Sequence, residues 1–141
     1  MINIRHTGIV VKDMEKCIDF YVNNFNFKIE KDQIEQGKYI DIFLGLSNTK
    51  VRTVKMSLND NHMIELLKFY SHPSEKNASF ITDVGCSHFA MTIKDADLLY
   101  KKLKKQNIEI INKPRLSPDG LVKVFFCKDH DGTWLELVEE L

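Results

Sequence analysis

Thr133-Trp134-Leu135-Glu136-Leu137-Val138 reads as a strand with a carboxylate in the middle of an apolar run. Charged side chains are rarely fully buried unless they are paired or bound to a metal. The same pattern, apolar–Glu–Leu–apolar, occurs once more at Ile64-Glu65-Leu66-Leu67. Far upstream of each lies a strand pattern that carries a histidine, His6 in one and His88 in the other. Two strands of each kind suggest a plan used twice.

Numbering bears this out. His6 and His88 differ by 82, as do Lys12 and Lys94, and Asp13 and Asp95. Each half reads His-x5-Lys-Asp, then a helix, then strands that end in the Glu–Leu pattern. Such an internal repeat is settled before any other feature. In the first half, Ile4 to Val11 alternates as a strand and Asp13 is placed to cap a helix whose apolar positions are Met14, Cys17, Ile18, Tyr21, Val22 and Phe25. Strands are expected at Phe27–Asp32, Tyr39–Leu44, Val51–Leu58 and Met63–Phe69, with Asn59-Asp60-Asn61 as a hairpin turn. In the second half, His88–Ile93 is a strand, Asp95 a cap, and Ala96, Leu99, Tyr100 and Leu103 mark a helix. Strands follow at Ile108–Ile111, Val122–Cys127 and Trp134–Val138, with Lys113–Gly120 as a loop and Asp129-His130-Asp131-Gly132 as a turn. The expected class is α+β: two tandem βαβββ modules, each a curved mixed sheet with its helix outside. One domain spans 1–141, with module 1 at about 1–70, a linker at 71–85 that lacks periodicity, and module 2 at about 86–141.

Composition narrows the function. Twenty basic residues balance twenty acidic ones in 141 residues, so no charge footprint points to nucleic acid or to an anionic membrane surface. Apolar runs are too short to span a membrane, and the N-terminus enters a strand pattern at once, so neither a membrane segment nor a signal peptide is expected. Cys17, Cys86 and Cys127 are odd in number and lack CxxC spacing, which fits three reduced thiols in a cytoplasmic protein.

Strand parity then assembles a site. Phe89, Met91 and Ile93 form the apolar set that packs on the helix, so His88 points the other way, with Ala90 and Thr92. His6 likewise opposes Ile9 and Val11. Glu65 shares a face with Met63 and Leu67, and Glu136 with Trp134 and Val138. Burying unpaired carboxylates costs on the order of several kcal/mol each, and a divalent cation removes that cost. Two imidazoles and two carboxylates, from His6, Glu65, His88 and Glu136, suit one divalent ion: Zn, Ni, Co, Mn or Fe. Four protein ligands on a six-coordinate ion leave two adjacent positions for substrate oxygens. Such an ion polarises a carbonyl while a neighbouring carboxylate moves a proton.

A single strand histidine is more often a hydrogen-bonded core residue than a ligand, and a glutamate in a final strand is often a solvated edge residue. Two of each at equivalent places in both halves shift the balance toward a metal. His62, His72 and His130 lie in or beside turns and the linker, where solvation explains them. Lys101, Lys102, Lys104 and Lys105 mark the exposed side of the second helix.

The stretches His6–Asp13, Ile18-Asp19-Phe20-Tyr21, Ile64–Leu67, His88-Phe89-Ala90-Met91 and Asp131–Leu137 together resemble the vicinal oxygen chelate superfamily, which includes glyoxalase I and methylmalonyl-CoA epimerase. The resemblance covers the whole chain and implies the glyoxalase/bleomycin resistance/dioxygenase fold. It places the metal ligands at His6, Glu65, His88 and Glu136, with Glu65 and Glu136 as the catalytic carboxylates and Glu136 as the one that doubles as base. Glutathione-using members carry an arginine and an asparagine where this sequence has Val10 and Phe69, which argues against glutathione as the thiol. Epimerases often have glutamine at the second ligand, where this chain has Glu65, yet Glu35-Gln36-Gly37 looks more like them.

The resulting expectation is a divalent-metal-dependent lyase or isomerase of the lactoylglutathione lyase type, transferring a proton next to a chelated carbonyl. An epimerase acting beside a thioester and a non-catalytic binding protein of the resistance type are the alternatives. The expected partner is a small molecule, a hemithioacetal or thioester, with Arg52, Arg115 or Lys123 to hold any anionic tail. A homodimer is expected. A linker of about 15 residues reaches roughly 50 Å at about 3.3 Å per residue, so the halves close a site within one chain or across that dimer.

Overall fold

The computed structural model describes residues 1–74 and 80–141, so residues 75–79 of the expected linker lie outside the described residues. It divides into two compact units, Met1–Lys76 and Asn77–Leu141.

The first unit runs β1 (Thr7–Val10), α1 (Met14–Phe25), β2 (Lys28–Gln36), α2 (Lys38–Leu44), β3 (Lys50–Ser57) and β4 (Met63–Phe69). Its sheet has the order β1-β4-β3-β2, with β1 parallel to β4 and the other pairs antiparallel. The cap on α1 is the expected one: Asp13 Oδ1 accepts from the Lys16 amide at 3.1 Å, satisfying a donor the first helical turn leaves open. Asn26 ends the helix in the left-handed region at φ 60°. The α1 face of Met14, Cys17, Ile18 and Tyr21 is buried together with Val54, Met56, Ile64 and Leu66 of the sheet and with Ile9 and Val11. Each such large side chain contributes about 1.5–3 kcal/mol on burial.

The second unit runs β5 (Phe89–Ile93), α3 (Ala96–Lys105), β6 (Arg115–Leu116), β7 (Val122–Lys128) and β8 (Trp134–Glu140). The order is β5-β8-β7-β6, with β5 parallel to β8. Asp95 caps α3 by accepting from the Leu98 amide at 2.8 Å, and Glu139 of β8 accepts from the Ala96 amide at 2.8 Å. Leu135 and Leu137 are fully buried with Phe125, Cys127 and Leu103. A one-residue slip of β8 would exchange those leucines for Glu136, so burial fixes the face on which the glutamate stands.

Two expected strands are absent. Tyr39–Leu44 alternates like a strand but forms α2, between Gly37 at φ 106° and Gly45 at φ 68°. Ile40 is its buried residue, and Asp41 accepts backbone hydrogen bonds from Asn48 at 3.1 Å and Thr49 at 2.7 Å. Those bonds fold the following loop back over the helix, and a strand would not bring the carboxylate there. Without this segment the unit has the βαβββ plan more strictly than its alternation suggests. Ile108–Ile111 makes only an isolated bridge, Ile110 to Cys127. Asn112 Oδ1 takes the Phe126 amide at 2.9 Å, so a side chain stands where a partner strand would put a carbonyl, and the ladder stops. The edge strand comes instead from Arg115–Leu116, inside the expected loop, returned by a turn at Ser117–Gly120. Among the described residues no helix is long and apolar enough to cross a membrane.

Candidate metal centre

In both units the histidine sits one residue ahead of its strand and keeps the strand's parity. Gly8 pairs with Glu65 across β1–β4, and Ala90 pairs with Glu136 across β5–β8. Stepping back two residues from each brings a histidine to the same face as the glutamate. That face is the one turned away from the buried set that includes α1 or α3.

In the first unit, His6 Nε2 lies 2.9 Å from Glu65 Oε2. Lys55, directly across β3–β4 from Glu65, places its Nζ 3.9 Å from Oε1. The glutamate side chain is 14% exposed. In the second unit, His88 Nε2 lies 3.2 Å from Glu136 Oε2, and the glutamate is 28% exposed. Ser87 Oγ bonds His88 Nδ1 at 2.7 Å, which turns Nε2 toward the carboxylate. The residue across β7–β8 from Glu136 is Phe126, not a lysine. Its ring meets His88 edge-on at 5.3 Å and approaches Trp134 at 6.5 Å, and Lys128 Nζ stands 4.6 Å over the Trp134 ring.

Each half brings its own histidine and glutamate together: His6 with Glu65, and His88 with Glu136. Within either unit, among the described residues, no third His, Cys, Asp or Glu joins the pair. Each pair offers one imidazole nitrogen and one carboxylate, both half-shielded from water. A donor set of that kind suits a borderline divalent cation. The other histidines stand apart, as expected. His62 is held in its turn by Asp60 at 2.8 Å, His72 bonds Ser71, and His130 is exposed.

Two of the residues expected to hold an anionic tail are corrected. Arg52 pairs with Ile34 and Lys68, on the opposite face of the sheet from Glu65. There its guanidinium grips Asp32 through bonds of 2.9 and 2.7 Å and also binds Glu15. Lys123 opposes Glu139 on the α3 side, and Asp97 holds its ammonium at 2.8 Å, raising its pKa. Strand parity turns both away from the metal ligands. Arg115 shares the parity of Glu136 and is exposed. Lys55, Ser87 and Phe126 are the site residues that sequence reasoning missed. Ser87 adjoins a predicted ligand and was open to discovery, whereas Lys55 and Phe126 required the register between strands. Val10 and Phe69 both keep the parity of Glu65 and are apolar.

Each unit is thus a four-stranded sheet of βαβββ plan with a His–Glu pair on one face. The model of the Glyoxalase/Bleomycin resistance protein/Dioxygenase superfamily matches residues 3–137, and the chain belongs to that family, the vicinal oxygen chelate superfamily. It is 27% identical over 149 aligned positions to a lactoylglutathione lyase of Pseudomonas putida, covering 95% of this chain and 83% of that protein. It is 26% identical to a lactoylglutathione lyase of Arabidopsis thaliana, of which it spans 43%. Among solved structures, a glyoxalase family protein of Bacillus cereus superposes with a TM-score of 0.92 at 20% identity, over 100% of this chain and 95% of that one. The chain is thus a glyoxalase I-like member of the superfamily.

Proposed function

We propose that this chain is a metal-dependent lyase or isomerase that moves a proton at the carbon next to a substrate carbonyl. The observation that carries the reading is the matched pair of contacts, His6 Nε2 to Glu65 and His88 Nε2 to Glu136, at repeat-equivalent positions. Similarity to lactoylglutathione lyases supports the same reading. His6, Glu65, His88 and Glu136 would hold one divalent ion, either within one chain or across a homodimer. When bound, that ion supplies Lewis acidity at the carbonyl.

The two glutamates divide the remaining work. Lys55 and His6 both attend the Glu65 carboxylate, which holds it in place. Glu136 has an aromatic ring opposite and one imidazole beside it, so its free oxygen is at liberty to take the proton and return it. Phe126 and Trp134 give the substrate a dry wall on that side. Val10 and Phe69 supply no hydrogen-bond donors from their side chains for the polar ends of a tripeptide thiol, so glutathione adducts should bind poorly.

The test is exchange of a substrate's α-proton with deuterated water, followed by NMR on the full chain with and without chelator. The panel holds glutathione hemithioacetal, hemithioacetals of smaller thiols, and acyl-CoA thioesters. Chelator-sensitive exchange on a hemithioacetal supports the reading. Exchange confined to acyl-CoA would replace it with an epimerase, and no exchange at all with a binding protein.

A further inference from the structure

In the second unit the segment after α3 runs beside β7 without joining it as a strand. Its single bridge is Ile110 to Cys127, and the Asn112 side chain takes the Phe126 amide. A groove of about 350 Å³ lies along this segment and the C-terminal half of α3, lined by Tyr100, Lys104, Ile108, Ile110, Ile111 and Lys113. That volume is within the range of small-molecule sites, about 300–1,000 Å³. The groove opens on the helix side of the sheet. Tyr100 meets Phe125 edge-on at 6.0 Å, and Phe125 pairs with the buried Leu137, so this face is the opposite of the one that carries Glu136.

Its lining is of two kinds. Three isoleucines and the Tyr100 ring are apolar, and Ile111 is 45% exposed. Lys104 and Lys113 add two ammonium groups, and Lys104 Nζ stands 6.0 Å over the Tyr100 ring. Among the described residues no carboxylate balances these two lysines. Glu109 pairs with Lys128 at 2.9 Å, and Asp97 with Lys123 at 2.8 Å. Asp95 and Glu139 are held at the other end of α3, by the Leu98 and Ala96 amides. The C-terminal end of a helix carries roughly half a negative charge. Here it faces Lys104 and Lys105 in the last turn, while Lys113 lies outside the helix, so the rim stays positive.

We propose that this groove binds a small amphiphilic carboxylate, its hydrocarbon body along the isoleucines and the Tyr100 ring and its carboxylate at Lys104 and Lys113. A neutral apolar molecule would leave the two ammonium groups without an acceptor, and an inorganic anion would leave the isoleucines in water. A molecule with both parts satisfies both. At roughly 30 Å³ per small group, the share of a water in the liquid, the groove takes about a dozen non-hydrogen atoms. A protein partner needs about 800 Å² on its side, more than a groove of this size offers. The site shares no residue with the metal centre and does not depend on that reading.

The probes are octanoate, its neutral amide octanamide, and acetate, which has the charge without the body. Each is titrated into the isotope-labelled full chain at neutral pH, and backbone amide shifts are followed by NMR. Octanoate should shift amides of residues 100–113 and bind about fivefold more tightly than octanamide, the range expected for two exposed charge contacts. Acetate should bind more weakly than either. Lys104→Gln with Lys113→Gln should bring octanoate to within about twofold of octanamide, while Lys28→Gln, in the first unit, should change neither. Equal affinity for acid and amide, a preference that survives the double variant, shifts centred on other residues, or no binding at millimolar probe overturns the proposal. Shifts of the same amides with protein concentration alone overturn it too, because a second copy of the chain would then be what covers the groove.

Discussion

Phe126 stands directly across the β7–β8 ladder from Glu136. Its counterpart across β3–β4 from Glu65 is Lys55. The repeat therefore preserves the carboxylates and breaks the symmetry at the residues that face them. An ion pair restrains a carboxylate, whereas a ring does not. Phe126→Lys should pin Glu136 and slow α-proton exchange by about tenfold, a cost of about 1.4 kcal/mol, with Co²⁺ still bound. Unchanged exchange would show that the facing residue does not assign the role of base.

Glu136→Gln should weaken metal binding and abolish exchange together, because one side chain serves as ligand and base. The His6→Ala, His88→Ala double variant should lose the metal altogether. Stoichiometric metal in that double variant, measured by elemental analysis after dialysis, would place the ion elsewhere.

Ser87 turns His88 through Nδ1 at 2.7 Å. Partners of this kind typically account for 10- to 100-fold in metal affinity, so Ser87→Ala should weaken Co²⁺ binding by at least about tenfold. An unchanged affinity would mean that the strand alone orients the ring.

Arg52→Met should leave substrate kinetics unchanged and lower stability, since Arg52 ties β3 to β2 and α1. Half-exposed pairs are screened, so a loss of about 1 kcal/mol is expected. The hydrogen bond from Arg52 holds the Asp32 carboxyl below its ordinary value of 3.8. The pair's contribution is therefore present above pH 3.8 and lost as the pH falls through the lower folded value. Thermal melts of the two proteins should differ at pH 7 and converge in stronger acid.

Burial pushes the Cys127 thiol up to about 12 from 9.0, and Cys17 is buried as well, whereas Cys86 is exposed. Iodoacetamide at pH 8 should modify Cys86 in the folded protein and spare the other two, as peptide mapping would show. Because the folded value is the raised one, Cys127 favours the native state below pH 9 and loses that contribution as the pH climbs toward 12.

How far the sequence carries differs between elements for physical reasons. Both glutamate strands, both capped helices and the hairpin turn are local: the period of apolar residues and a capping side chain within three positions decide them. The helix at Lys38–Leu44 is decided by Asp41 reaching amides seven and eight residues on, which alternation cannot show. The loss of a strand at Ile108–Ile111 depends on Asn112 meeting Phe126, 14 residues away. Arg52 and Lys123 lay near the ligands in sequence, yet one residue of parity sends each to the helix side.

The sequence by itself determined the repeat, the four His and Glu positions and the face of the strand on which each stands, because side-chain direction in a strand follows from a period of two. Only the tertiary structure decided what stands beside them. Lys55 opposite Glu65 and Phe126 opposite Glu136 are properties of register. Register is set by hydrogen bonds and packing between strands distant in the chain, and no single strand carries that information.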